Sequence, residues 1–106
     1  MNNEINEIKP LADFSDYGVA AKRTPYDWSL VSWAGVLDCR FGIEIVRVAP
    51  HNGTLRIFDL ENDDKLLVET KTKISYDAKF GPDHYDVMCW QDEAADWVDN
   101  NIYNKE

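Results

Sequence analysis

The spacing of the apolar residues changes once along the chain, and that change limits the fold more than any other feature. Leu37, Cys39, Phe41, Ile43 and Ile45 alternate with Asp38, Arg40, Gly42 and Glu44; Leu66, Val68, Thr70, Thr72, Ile74 and Tyr76 alternate with Leu67, Glu69, Lys71, Lys73 and Ser75. Successive side chains on an extended strand point to opposite faces, so each run predicts a long strand with one apolar and one wet face. Further on the period lengthens. Val87, Trp90, Ala94, Trp97, Val98 and Ile102 fall on one arc of a helical wheel, and Asp86, Asp92, Glu93, Asp96 and Asp99 on the opposite arc. That separation predicts an amphipathic C-terminal helix, with a strand at 84–90 as the alternative for its first part.

Turn signals divide the runs. Asn52-Gly53 after Pro50-His51 is the strongest, because both residues tolerate positive φ, and it predicts a hairpin into a strand over 54–60. Ile45-Val46-Arg47-Val48 breaks the alternation and suggests a bulge. Glu61-Asn62-Asp63-Asp64 marks a second turn, and Asp83 after Gly81-Pro82 is the expected cap of the last helix, with Asp86 three residues on. Thr24-Pro25-Tyr26-Asp27 reads as another helix start, followed by Leu30, Trp33, Ala34 and Leu37 at helical spacing. Trp28 and Leu30 also alternate with Asp27 and Ser29, and Gly35 is a poor interior helix residue, so a strand competes there. The expected class is α+β: an antiparallel β-meander of at least three strands packed against a C-terminal amphipathic helix, with a shorter helix before the sheet. Residues 1–12 are expected to be a flexible lead-in, and 13–106 a single domain.

The 106 residues are 44% apolar, enough for one core. No apolar run reaches the roughly 18 residues of a membrane span, and the acidic start lacks the basic-then-apolar order of a secretory signal, so a cytoplasmic location is expected. A net charge of -9 argues against direct nucleic-acid binding, whose affinity comes from Lys and Arg displacing counterions. Cys39 and Cys89 are read as free thiols, Cys39 as a small buried hydrophobe. No Cys or His pair has metal-ligand spacing, and Asp59–Asp64 starts like a calcium loop but has Asp64 where Gly is needed and Thr70 where a bidentate Glu is needed. With no nucleophile elbow and no phosphate-binding loop, neither a cofactor nor a catalytic residue is assigned. Trp33, Trp90 and Trp97 are expected in the core.

The charge is uneven. Residues 1–56 hold seven acids and six bases, whereas 57–106 hold thirteen acids and five bases, with no Lys or Arg between Lys79 and Lys105. Helical neighbours three or four apart lie about 5–6 Å from one another, comparable with phosphates along a nucleic-acid strand, and Asp86 to Asp99 would span about 20 Å. A solvated outer face explains such a stripe without a function. The functional expectation is that Asp86, Asp92, Glu93, Asp96 and Asp99 bind a basic surface on a protein partner. The type is a small acidic, non-enzymatic inhibitor, a mimic of DNA, that blocks a nucleic-acid-processing protein. Phage anti-defence proteins such as anti-CRISPR or anti-restriction factors, and immunity proteins of nuclease toxins, share these physical properties. A self-associating phage or bacterial assembly protein and a small cysteine-dependent hydrolase are the rivals.

Overall fold

The structure, a computed structural model, describes Pro10, residues 31–75 and residues 82–104. Four strands, β1 (Val31–Leu37), β2 (Phe41–Ala49), β3 (Asn52–Asp59) and β4 (Lys65–Lys73), form one antiparallel sheet in the order β1-β2-β3-β4. Helix α1 (His84–Val98) follows and continues into a π-helical turn, Asp99–Tyr103. The fold is therefore an α+β meander with a C-terminal helix, and residues 84–90 belong to the helix. The expected lead-in over 1–12, apart from Pro10, and the expected helix start at 24–27 lie outside the described residues. Among the described residues no helix is long and apolar enough to cross a membrane.

Two expectations about the first strand are corrected. Residues 31–37 are strand, so Trp33, Ala34 and Leu37 do not continue a helix. The run from Leu37 to Ile45 is not one strand either, because residues 38–40 form a turn between β1 and β2. Leu37 and Phe41 face each other across that turn. Asp38 and Cys39 have φ of 56° and 54°, and the Arg40 N–H donates to the Leu37 carbonyl at 3.0 Å. Cys39 is consequently exposed in a turn instead of buried on the strand's apolar face.

The Asn-Gly signal is displaced in a similar way. The β2–β3 turn falls on Pro50-His51, and Asn52 pairs with Ala49 as the first residue of β3. Pro50 fixes its own φ near −65°, which excludes the positive φ an Asn-Gly hairpin turn would need at that position. Gly53 is required for space instead: a Cβ there would lie 2.9 Å from Ile74 Cδ1 and 3.0 Å from the Val46 carbonyl oxygen. A bulge between Arg47 and Ala49 fits the broken alternation noted above. The β3–β4 hairpin turns through Asp63 and Asp64, both with φ of 56°.

α1 begins where Asp83 caps it, its Oδ1 accepting from the Asp86 N–H at 2.9 Å. Its buried row, Trp90, Ala94 and Val98, packs on Phe41, Ile43, Ile45, Leu55, Ile57 and Ile74. Trp90 anchors this layer. Its ring lies 6.0 Å from Trp33, and its indole N–H donates to the Lys73 carbonyl at 3.0 Å. The face of the sheet away from α1 is less wet than the alternation predicts, for Ala34, Glu44, Val46 and Phe58 are buried there. Glu44, Arg56 and Glu69 stand side by side on it across β2, β3 and β4.

Candidate functional site

The outer arc of α1 is set by the buried row on its other side. Stepping by three and four residues, Tyr85, Met88, Asp92, Asp96 and Asp99 follow one another along the solvent side, and all five are exposed. Two of them are apolar in body: Tyr85 is 70% exposed and Met88 46%. The sequence reading passed over this pair, although the same wheel that aligned the acids places both beside them. Tyr and Met are residues that protein interfaces favour.

Of the five acids expected on this face, the structure places Asp92, Asp96 and Asp99 there and moves the other two off it. Asp86 heads the buried row, at four-residue spacing from Trp90, Ala94 and Val98, and is only 4% exposed. One of its carboxylate oxygens accepts from the Ser75 hydroxyl, and the other, Oδ2, is buried without a hydrogen-bond partner. Its role is at the helix start, where a carboxylate meets the positive end of the helix dipole. Glu93 is exposed but leans toward β4, its Oε1 accepting from Thr72 Oγ1 at 2.9 Å.

The three remaining acids meet no compensating charge among the described residues. Among the described residues no ion pair reaches Asp92, Asp96 or Asp99, and no basic residue stands in the last turn of α1. Asp99 closes α1 and opens the π-helical turn that ends the helical run, so it stands near the end where the macrodipole is negative and a cation is the favoured occupant. The stripe thus opposes the stability of the helix that carries it. At the amino end, Tyr85 is held above its ordinary phenol pKa chiefly by its interaction with Cys89, with desolvation and the Asp86 carboxylate adding to the effect.

The other charged groups serve the sheet. Arg40 donates to both carboxylate oxygens of Asp59, at 3.2 and 3.0 Å, and lies 4.7 Å from the Phe41 ring centre. The Arg40 guanidinium holds the Asp59 carboxyl below its ordinary value, with the Glu61 N–H adding to the effect against the opposing cost of burial. Asp59 is therefore committed to a hairpin contact, and the 59–64 segment is a turn. Among the described residues no group of three His, Cys, Asp or Glu side chains is placed to hold a metal ion. Cys39 and His51 stand at the two ends of β2, whose nine residues extend about 30 Å, so this Cys-His pair cannot form a catalytic dyad.

Comparison with protein-family models, curated proteins and solved structures finds no match for the chain.

Proposed function

We propose that the chain is a non-enzymatic inhibitor that docks the outer face of α1 on the basic surface of a nucleic-acid-processing protein. The observation that carries this reading is the row Asp92, Asp96 and Asp99, which meets no cation among the described residues and runs toward the negative end of its own helix. A merely solvated face would be served equally by mixed charge, which would also support the helix through i,i+4 pairs. Tyr85 and Met88 extend the row with exposed apolar area, the kind of anchor that converts electrostatic steering into a lasting complex.

The test is binding with the charges reversed. Proteins retained from a bacterial lysate at low salt are to be identified, purified and titrated against the parent and an Asp92→Lys, Asp96→Lys, Asp99→Lys variant. The expected partner binds nucleic acid, releases the parent when duplex DNA is added, and binds the variant at least tenfold more weakly, a loss of about 1.4 kcal/mol or more. Parent affinity falls between 50 and 500 mM salt, as the screening length shortens from about 14 Å to about 4 Å. Equal affinity of parent and variant, with an unchanged salt response, would remove this reading.

A further inference from the structure

Beside the acidic row, where α1 crosses β3 and β4, the surface opens into a groove of about 340 Å³. Its floor is apolar, made by Leu55 and Ile57 of β3, Val68 of β4 and the half-buried Trp97 of α1. On the helix side the rim carries Glu93 and Asp96. Three residues apart, they follow one another by about 4.5 Å along the helix axis. On the strand side stand Thr70 and Lys71. Trp97 packs against the core as expected, and its place on this floor explains why it is less buried than Trp90.

We infer that this groove receives the side chain of an arginine carried by the partner protein. The inference rests on the proposed docking of α1 and specifies its chemistry. An apolar floor calls for a hydrocarbon stem, and a rim with two carboxylates against a single lysine calls for a cation at the stem's end. Long basic side chains have this form, burying the methylenes while the head group stays at the polar edge. Two carboxylates one helical turn apart suit the five spread donors of a guanidinium better than the compact ammonium of lysine. One Glu93 oxygen is engaged by Thr72, and among the described residues no hydrogen bond or ion pair engages the Asp96 carboxylate. The volume lies at the low end for ligand pockets, which fits one long side chain. Asp96 belongs to the rim and to the exposed row alike, so a partner lying along the row necessarily covers the mouth of the groove.

The experiment uses N-acetyl-arginine methylamide as the probe, titrated into the isotope-labelled full chain at low ionic strength and followed by NMR. Saturable shifts are expected at the Trp97 indole N–H and at the amides of Val68 and Thr70. The citrulline analogue, equal in length and uncharged, should bind at least about tenfold more weakly, and guanidinium chloride, charged but without a stem, should give no saturable shift at these positions. Glu93→Gln with Asp96→Asn should reduce the arginine probe to the level of citrulline. Thr70→Phe, which fills the groove and keeps both carboxylates, should abolish the shifts while the spectrum of the rest of the sheet persists. Equal binding of arginine and citrulline, absence of shifts up to tens of millimolar probe, or undiminished binding by Thr70→Phe would each overturn the assignment. The charge-reversal titration does not depend on any of these results, so the groove can fail while the acidic row stands.

Discussion

Glu44 is fully enclosed and lies directly opposite Arg56, whose Nη1 donates to its Oε1 at 3.0 Å. The same guanidinium donates from Nε to Glu69 on the next strand at 2.7 Å, so one cation joins three strands on the face away from α1. Taking one partner from a buried charge pair typically costs about 3–5 kcal/mol. Arg56→Met should lower the unfolding free energy by that order in urea titration. Adding Glu44→Leu should recover part of it, because the buried carboxylate is then gone as well. A loss below about 1 kcal/mol for Arg56→Met would show that the row contributes little.

Trp90 combines volume with a hydrogen bond. Trp90→Ala should destabilise the fold by about 3–5 kcal/mol, and Trp90→Phe, which keeps most of the packing but leaves the Lys73 carbonyl without the indole donor, by about 1–3 kcal/mol. Calorimetric melting that places the two variants together would mean that the hydrogen bond, and not the packed ring, is what matters.

The turn between β1 and β2 holds two non-glycine residues at positive φ, a backbone region that costs side-chain-bearing residues roughly 1–2 kcal/mol. Cys39→Gly should therefore raise the unfolding free energy by about 0.5–1 kcal/mol. Cys39 is exposed in this turn, so no buried packing is lost. An unchanged or lower urea midpoint would argue against the turn geometry.

Asp99 should behave oppositely to an ordinary surface acid. Asp99→Lys places a cation at the carboxyl end of α1 and is expected to stabilise the fold by about 0.3–1 kcal/mol at low salt, with the gain shrinking as salt is added. Loss of stability at low salt would contradict the helix register.

Acid should weaken the hairpin contact of Asp59. Its carboxyl titrates below the ordinary value of 3.8 when folded, so the contact's contribution is complete above the unfolded value and fades as pH falls through the lower, folded one. Urea midpoints measured downward from neutral pH should fall in this acid range. In Arg40→Gln the parent's excess stability should be absent at neutral pH, and the acid limb shallower. Parallel pH profiles for the two proteins would exclude the pair as the cause.

The C-terminal helix was legible because two independent signals agreed, the Asp83 cap and an apolar arc that sustains its period from Val87 to Ile102. β4 was legible from its alternation only from Val68 onward, because a bulge opposite Ile57 and Phe58 pairs Leu66 with Phe58 on the face away from α1 and lets Leu67 pack against the core instead of facing solvent. The first hairpin was hidden for a geometric reason: Leu37 and Phe41 pair with each other and share the α1 face, so a three-residue connection leaves the alternation unbroken and two strands look like one. Asp38-Cys39 carries no glycine or proline to mark the reversal. Asn52-Gly53 misled in the other direction, since its glycine answers the crowding by Ile74 and Val46 and the turn belongs to Pro50-His51. On the candidate site, the wheel placed Asp92, Asp96 and Asp99 correctly. It put Asp86 on the wrong side because that position borders the apolar arc, and a carboxylate there looks exposed until Ser75 is known to receive it. The groove could not be read at all, for it depends on where α1 crosses β3 and β4.

The strand order has a consequence for how the molecule forms. Every strand pairs with its neighbour in sequence, through connections of three, two and five residues, so the sheet can assemble by successive hairpin closures of low contact order. The helix is different: Trp90 meets Trp33 across more than half the chain, and closing that contact costs more loop entropy than any of the hairpins. Until it occurs, Ile43, Ile45, Leu55 and Ile57 form an open apolar sheet face. During synthesis that face is complete before residues 84–98 leave the ribosome, which makes the interval before helix docking the period in which the nascent chain is most prone to aggregate.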